Sequence, residues 1–221
     1  MRKLTGAAFV SIDGVMQAPG GPGEDPTGGF AHGGWMAPMD DELVDETIGD
    51  LFTPPYDLLL GRRTYDIFAA YWPYVTGPER GFAKALNSAT KHVITHSDAP
   101  LAWENSHRLN DIDAVAELKR SDGPDLLVQG SSTLYPQLLG AGLLDRLVLM
   151  IFPVVLGAGK RLFDGGDAAT SLEVVDQKLS GSGVLVAHYA PGGAVATGAM
   201  GEPSSSDREQ KRQAAMSEGR W

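Results

Sequence analysis

Two turns in this sequence carry residue types that suit phosphate binding. Each follows a short apolar run, Tyr56–Leu60 in one case and Asp125–Gln129 in the other, and each precedes a segment with helical periodicity. Glycine lets a phosphate approach the backbone, free amide groups at a helix start favour an anion, and arginine can bind a terminal phosphate through two hydrogen bonds. The residues concerned are Gly61, Arg62, Arg63 and Thr64 in the first turn and Gly130, Ser131, Ser132 and Thr133 in the second. Considered alone, the first turn is as typical of two solvated surface arginines as of a phosphate site. The second turn is as typical of a plain helix cap.

Several better-known signatures are missing from the sequence. Gly159-Lys160 resembles the end of a phosphate-binding P-loop, but Arg161 stands where that motif has Ser or Thr. The first apolar run leads directly into a long loop, without the glycine fingerprint of a dinucleotide-binding turn. The histidines have no metal-ligand spacing and cysteine is absent, so a metal site is not expected.

Composition and charge restrict the kinds of partner. The chain has 221 residues, with 28 acidic and 18 basic side chains, a formal net charge of −10 and no cysteine. Because nucleic acids are bound mainly through Lys and Arg, neither nucleic acid nor an anionic membrane surface is expected as a partner. The lack of a long apolar segment and of cysteine favours a cytoplasmic protein, and the length fits one domain or two small ones.

Apolar runs and amphipathic segments alternate over residues 1–190, which predicts an α/β fold. Strands are predicted at Leu4–Ile12, Tyr56–Leu60, His92–Thr95, Asp125–Gln129, Arg146–Val155, Leu172–Lys178 and Gly183–Tyr189. Helices are predicted at Asp40–Phe52, Thr64–Tyr71, Glu79–Ser88, Asp111–Arg120 and Ser132–Gly140. Right-handed crossovers then require a mostly parallel sheet with helices on both faces. The last three strands follow one another without helices, so the carboxyl-terminal strands are predicted to be antiparallel.

Two segments have too few large apolar side chains to form a packed element. Residues 15–36 contain ten Gly and Pro residues, which is typical of a lid, a binding loop or a flexible surface loop. Residues 191–221 are rich in Gly, Ala and Ser and then in alternating charges, which predicts a disordered tail. The acidic and basic residues of this tail balance, so the net charge lies on residues 1–190 and an anionic ligand must be met by local chemistry.

Four blocks of sequence, in order, resemble the dihydrofolate reductase superfamily. They are Ser11–Gly14, Leu60–Tyr65, Val128–Leu134, and Gly142–Leu147 leading to Pro153–Gly159. The last block is similar to the riboflavin-biosynthesis branch, the RibD carboxyl-terminal reductase domain. The resemblance covers residues 2–190 and implies a three-layer αβα dihydrofolate reductase-like fold, with NADPH lying across the carboxyl ends of the central strands.

The resemblance implies a role for each of the two turns. The first would hold the phosphates of the cofactor, with an arginine and the turn at His96 and Ser97 close to the 2′-phosphate. The second would wrap the pyrophosphate and approach the nicotinamide. Many relatives carry Gly-Gly where this chain has Gly130-Ser131, so the sequence does not specify the strained turn of that family.

The resemblance also implies a lid and an acid. Dihydrofolate reductases close a mobile loop at the place of residues 15–36, which would exclude water during hydride transfer. The run Trp35–Asp41 is similar to the one that places their substrate carboxylate, and Asp40 is the matching residue. Asp41 is the alternative, and either aspartate is equally suited to cap a helix. Asp13 would act near the nicotinamide or the substrate, or would simply orient its own turn.

The sequence therefore predicts an NADPH-dependent reductase that transfers a hydride to a C=N or C=O carbon of a small heterocyclic substrate. A pyrimidine of riboflavin biosynthesis is the substrate that the resemblance implies. Trp35 and Trp72 are candidates to line a pocket for this flat molecule, although Trp72 is also typical of a core position. The alternatives are a non-catalytic nucleotide-binding or ligand-sensing dimer with the same fold, and flavin binding in the same cleft.

Long apolar strands flanked by basic residues suggest how the chain could associate. Arg146, Lys160 and Arg161 lie beside strands that could extend a sheet across a two-fold axis, so a homodimer is predicted. Crossing strands within one monomer would explain the same pattern.

Overall fold

An eight-stranded sheet forms the centre of the computed structural model, which describes residues 1–39, 41–164, 169–201 and 206–220. The strands are β1 (Leu4–Ser11), β2 (Tyr56–Gly61), β3 (Lys91–Ile94), β4 (Ser106–Leu109), β5 (Asp125–Gln129), β6 (Arg146–Phe152), β7 (Ser171–Leu179) and β8 (Leu185–Gly193). Their order across the sheet is β4-β3-β2-β5-β1-β6-β8-β7. Strands β1 to β6 pair in parallel, whereas β8 is antiparallel to both β6 and β7. The predicted mostly parallel sheet with antiparallel carboxyl-terminal strands is confirmed.

Helices cover both faces of the sheet. They are α1 (Glu42–Leu51), α2 (Arg62–Tyr71), α3 (Arg80–Ser88), α4 (Ile112–Arg120) and α5 (Leu134–Gly140). The chain also contains a further helix, α6 (Asp207–Ser217), and single 3-10 turns at Thr27–Gly29 and Trp72–Tyr74. Side chains of α1, α2 and α3 pack in one apolar cluster that includes Ala7 and Leu58, and those of α4 and α5 pack in another that includes Ala8 and Leu59. Neighbouring residues of one strand thus serve opposite faces, as a pleated strand requires, and three layers result.

A close contact between Gly6 and Tyr135 fixes α5 against the sheet. A Cβ atom at Gly6 would lie 2.6 Å from Cε1 of Tyr135, so only glycine lets this ring approach β1 so closely. The buried Tyr135 hydroxyl donates a hydrogen bond to the Ala7 carbonyl at 2.6 Å. Because α5 follows the second phosphate-type turn, this contact also sets the position of that turn.

The structure corrects several predicted boundaries. Strand β4 was not predicted, because it is short, lies at the edge of the sheet and contains Ser106, His107 and Arg108 instead of an apolar run. Strand β6 ends at Phe152 and not at Val155, since the following proline has no N–H to continue the ladder. Helix α5 begins at Leu134, after the turn.

The carboxyl-terminal segment contains more regular structure than its composition indicated. Strand β8 continues to Gly193, and α6 lies within residues 191–221 with none of its described side chains buried. The division of the chain into a domain over residues 1–190 and a disordered tail remains a prediction.

Candidate functional site

The two phosphate-type turns lie side by side. Strands β2 and β5 are parallel neighbours, with Tyr56 opposite Asp125 and Leu58 opposite Leu127. The turns follow the carboxyl ends of these strands, so they meet at the same edge of the sheet, where ligands of open α/β sheets commonly bind.

Ser131 joins the two turns by hydrogen bonds. Its hydroxyl accepts from the backbone N–H of Gly61 at 2.9 Å and donates to Thr64 Oγ1 at 2.9 Å. Its backbone N–H also donates to Thr64 Oγ1, at 3.0 Å. Since both of these donors are directed at the Thr64 oxygen, the hydroxyl hydrogen of Thr64 can be donated to a ligand. The two turns therefore form one hydrogen-bonded unit.

The second turn has an unusual backbone conformation. Gly130 has a φ of +69° and Ser131 a φ of +61°, and the left-handed region is unfavourable for a residue that has a Cβ atom. A Cβ at Gly130 would approach Cγ2 of Thr64 to 3.0 Å. The turn thus adopts a strained conformation at Ser131, which the sequence Gly130-Ser131 did not specify.

The start of α2 leaves its backbone amides without a side-chain cap. Gly61 is the N-cap residue and supplies no side-chain acceptor. The N–H groups of the first helical turn are thus available to an anion, and the helix dipole favours negative charge there. Arg63 is exposed, and the described part of the chain offers it no hydrogen bond or ion pair. It is a cation at the turn without a committed partner.

Unlike Arg63, Arg62 forms an ion pair and a hydrogen bond within the chain. Its Nε lies 2.9 Å from Oδ2 of Asp66, and its Nη1 donates to the Ala99 carbonyl at 2.9 Å. The hydrogen bond to Asp66 raises the pKa of Arg62. The arginine therefore fastens the loop after β3 to the start of α2, and that loop contains the turn at His96 and Ser97.

The loop after β3 is held by a second arginine that sequence reasoning missed. Arg108 of β4 donates to the same Ala99 carbonyl at 3.0 Å, and its Nη1 atom is buried without a hydrogen-bond partner in the described part of the chain. His96 is exposed, while Ser97 Oγ accepts from the Ala99 N–H at 3.2 Å. The sequence could have indicated this role of Arg108 only through the position of Arg108 in β4, and β4 was not predicted.

Asp13 is bound to the loop after β6. Its carboxylate accepts from the backbone N–H groups of Leu156 at 3.0 Å and Gly157 at 2.8 Å, and from the Ser11 hydroxyl at 2.6 Å. The Ser11 hydroxyl, followed by the Leu156 N–H, lowers the pKa of Asp13 to about 2. Asp13 is therefore ionised at neutral pH and cannot donate a proton. The geometry favours the simpler of its two predicted roles, the orientation of its turn.

Of the two aspartates before α1, only Asp41 lies among the described residues. Asp41 is the N-cap of α1 and accepts from the backbone N–H groups of Leu43 at 3.0 Å and Val44 at 3.2 Å. The hydroxyls of Ser180 and Ser182 lower the pKa of the Asp41 carboxyl, and Ser182 donates a hydrogen bond to it. Its carboxylate is thus occupied by the cap and by the β7–β8 turn. Asp40, the preferred candidate acid, lies outside the described residues.

The glycine-rich loop of residues 15–36 is fastened to the rest of the molecule. The buried Gln17 side chain donates to the carbonyls of Asp25 and Thr27, each at 2.9 Å, and accepts from the Lys160 N–H at 2.9 Å. Lys160 Nζ forms an ion pair with Asp25 and donates to Thr27 Oγ1 at 2.7 Å. Opening of this loop as a lid would have to break the contacts made by Gln17 and Lys160.

The two candidate pocket tryptophans lie in aromatic packing. Trp35 is buried, donates from Nε1 to the Gln17 carbonyl at 2.9 Å and meets the Phe152 ring edge to face at 5.4 Å. Trp72 is partly buried and meets Phe68 and Phe82 edge to face. Both belong to, or pack against, the apolar cluster on the α1, α2 and α3 face.

The described residues contain no group of metal ligands and no membrane-spanning helix. No three His, Asp or Glu side chains are grouped there so that they could hold a metal ion. None of the helices seen in these ranges has the length and apolarity to cross a membrane.

Comparison with known proteins places this geometry in a family context. The family described as RibD C-terminal domain matches residues 2–186. The uncharacterized protein YyaP of Bacillus subtilis (strain 168) is 30% identical over 153 residues, which cover 66% of this chain and 81% of YyaP.

Solved structures with the same fold have lower sequence identity. A protein provisionally assigned to riboflavin biosynthesis, from Shewanella sp. PV-4, is 18% identical with a TM-score of 0.63, over 86% of this chain and 98% of its own. A pyrimidine reductase-like protein from Corynebacterium diphtheriae is 16% identical with a TM-score of 0.55, over 86% and 92%. Dihydrofolate reductase from Enterococcus faecalis, complexed with NADP(H), is 17% identical with a TM-score of 0.51, over 86% and 96%. At these identities the likeness shows the fold.

Proposed function

Because this chain belongs to the RibD C-terminal domain family, we propose that it is an NADPH-dependent reductase acting on a small heterocyclic substrate. The observation that carries the proposal is the unit formed by Gly61, Thr64 and Ser131 at the carboxyl ends of β2 and β5. When bound, NADPH would supply a hydride to a C=N or C=O carbon. The residues of the chain would bind and orient it.

The residues present fit a dinucleotide phosphate. The chain carries a formal net charge of −10, so an anion needs a local cationic site. The uncapped start of α2 and the exposed Arg63 provide one, and the Thr64 hydroxyl adds a donor. Arg62 is committed to Asp66 and Ala99, so we assign phosphate binding to Arg63 and loop positioning to Arg62.

The preference for NADPH over NADH is part of the proposal. Arg62 holds the loop that contains His96 and Ser97 next to the first turn. The exposed His96 imidazole and Arg63 guanidinium would then meet a 2′-phosphate, which NADH lacks.

The proton or hydrogen bond for the acceptor nitrogen is assigned to Asp40. This assignment rests on the sequence position of Asp40. The carboxylates of Asp13 and Asp41 already accept hydrogen bonds from backbone N–H groups and serine hydroxyls. A carboxyl group that donates a proton or a hydrogen bond to the C=N nitrogen would make the carbon a better hydride acceptor. Because the carboxylates of Asp13 and Asp41 are occupied by these hydrogen bonds, a second candidate function is a nucleotide-binding protein without turnover.

Calorimetric titration with NADPH and NADH tests the binding step. Replacement of Arg63 by Gln removes a charge-assisted contact and should weaken NADPH binding about tenfold or more, with a smaller effect on NADH. Arg80→Gln is the matched control, because Arg80 is also exposed at the start of a helix, α3. No heat on titration with NADPH into the wild-type protein would end the proposal.

Consumption of NADPH with pterins, pyrimidines and quinones tests the reaction. The first pyrimidine to test is 5-amino-6-(5-phosphoribosylamino)uracil, since relatives are named for riboflavin biosynthesis and pyrimidine reduction. Asp40→Asn should lower kcat and leave the affinity for NADPH unchanged. Tight binding without turnover for any of these substrates would favour the second candidate. A yellow purified protein would indicate flavin in the cleft instead.

A further inference from the structure

A cavity lies at the edge of the sheet opposite to the two phosphate-type turns. It is found where β2 and β5 begin, between the prolines that precede these strands and one face of α3. Its volume is about 530 Å³, which is in the range of pockets that hold small organic molecules. Strand β2 separates the cavity from the first turn by about 16 Å, at a rise of about 3.3 Å per residue. The cavity is therefore separate from the proposed cofactor site.

Tyr56, the first residue of β2, has a buried hydroxyl without a hydrogen-bond partner in the described part of the chain. The residue is 7% exposed and lines the cavity. Its ring belongs to the apolar cluster on the α3 face, and α3 presents the small residues Gly81 and Ala85 to the cavity. Burial raises the pKa of Tyr56 to about 12, so the hydroxyl keeps its proton at neutral pH and can donate it.

The unpartnered hydroxyl indicates that the cavity accepts a ligand. Burying a hydroxyl without a partner destabilises a protein, and phenylalanine would fill the same space without this cost. A ligand atom that accepts a hydrogen bond from Tyr56 would remove the cost. The rings of Pro54, Pro55 and Pro124 form much of the remaining wall, which suits a flat apolar body.

Lys84 supplies the uncompensated charge at the cavity. It is exposed on α3 and forms no ion pair within the ranges that the structure describes. Asp57 also lines the cavity, but its carboxylate forms an ion pair with Arg2 and accepts from His92 Nε2 at 3.1 Å. Because Asp57 follows Tyr56 in β2, its side chain lies on the other face of the sheet. The unpaired Lys84 ammonium therefore favours an anionic group on the ligand.

We propose that this cavity binds a small aromatic carboxylate. The carboxylate would meet Lys84, the ring would lie between the prolines and α3, and an acceptor atom on the ring would take the hydrogen bond of the Tyr56 hydroxyl. The inference is independent of the proposed reductase function, since the cavity and the two turns lie at opposite edges of the sheet.

Two probes of the same shape test the role of the Tyr56 hydroxyl. Quinoline-6-carboxylate has a ring nitrogen that accepts a hydrogen bond, and naphthalene-2-carboxylate has a C–H group in its place. In titrations of the full chain followed by amide nuclear magnetic resonance, both should shift amides of α3 and not those of the two turns. Tyr56→Phe should weaken quinoline-6-carboxylate about tenfold and change naphthalene-2-carboxylate by less than about twofold. Tyr74→Phe, at a residue 76% exposed, is the matched control and should change neither.

Replacement of Lys84 tests the charge. Lys84→Gln should weaken both carboxylates about threefold and leave the uncharged quinoline-6-carboxamide unaffected, whereas Lys84→Arg should retain their binding. Lys178→Gln is the control, because Lys178 is also exposed and lies on β7, at the far end of the sheet order.

Urea unfolding without ligand gives a second measurement on Tyr56→Phe. The midpoint should not fall, because the hydroxyl that is removed has no partner. A lower midpoint would show that the hydroxyl is already satisfied and would overturn the proposal. The proposal is also wrong if neither probe binds at millimolar concentration, if NADPH displaces them, or if Tyr56→Phe affects both probes equally.

Discussion

The hydrogen bonds and backbone strain at Ser131 predict that replacement by alanine destabilises the protein more than replacement by glycine. Ser131→Ala removes both hydrogen bonds of the hydroxyl, to Gly61 and to Thr64, and keeps a Cβ atom at a φ of +61°. Ser131→Gly removes the same bonds and also removes the strain. Elsewhere in a folded chain, glycine destabilises more than alanine because it has more conformational freedom when unfolded.

The magnitudes follow from these contacts. Two partly buried hydrogen bonds at about 1 kcal/mol each give a loss of about 2 kcal/mol in the free energy of unfolding for Ser131→Ala. A left-handed backbone costs a residue with a side chain about 1–2 kcal/mol. The greater conformational freedom of unfolded glycine offsets about 0.5–1 kcal/mol of that relief, so Ser131→Gly should lose about 1–1.5 kcal/mol. Glycine is thus expected to be the more stable replacement.

Urea unfolding of the variants checks this order. The transition midpoint should fall further for Ser131→Ala than for Ser131→Gly, with an unchanged m-value. Ser132→Ala is the matched control, because no hydrogen bond of the Ser132 side chain is found in the described part of the chain, and it should shift stability by less than about 0.5 kcal/mol. Equal losses for alanine and glycine would refute the strain, and a loss no larger than that of the control would refute the hydrogen bonds.

Three further outcomes are expected. Burial lowers the pKa of Lys91 from 10.5 to about 8, so the unfolded chain binds more protons than the folded chain between these pH values. The free energy of unfolding should therefore rise by about 1 kcal/mol per pH unit from about pH 8 to pH 10.5. Urea titrations of Lys91→Met should not show this rise. Because the pKa of Asp13 is lowered from 3.8 to about 2, its ionised carboxylate stabilises the fold above about pH 4. The free energy of unfolding should fall as the pH is lowered from about 4 to about 2. Thermal melts of Asp13→Asn should show a smaller fall over the same range. Gly6→Ala would drive a Cβ into the Tyr135 ring and should lower the free energy of unfolding by about 1–3 kcal/mol. Gly49→Ala is the control: Gly49 lies in helix α1 with open space around its Cβ, so this change should raise the free energy of unfolding by about 0.5–1 kcal/mol.

Much of the fold followed from local pattern. The strands over residues 56–60 and 125–129 and the helices after the two turns could be predicted because apolar periodicity and turn glycines act over a few neighbouring residues. Strand β4 could not, since its four residues carry polar side chains and it forms only by pairing with β3. Arg108 was missed for the same reason, although it holds the loop beside the first turn.

The hydrogen-bond partners of the candidate acids could not be predicted from local sequence. Local pattern alone indicated a turn at Asp13, a helix start at Asp40 or Asp41, and two glycine-containing turns that open helices after apolar runs. The folded arrangement shows in addition that the carboxylates of Asp13 and Asp41 are occupied, because their partners Leu156 and Ser182 lie 143 and 141 residues away along the chain. It likewise decided that Ser131 binds Gly61 and Thr64. A side chain's residue type is local, but its hydrogen-bond partners, and hence its pKa and its freedom to act, come from segments that only folding brings together.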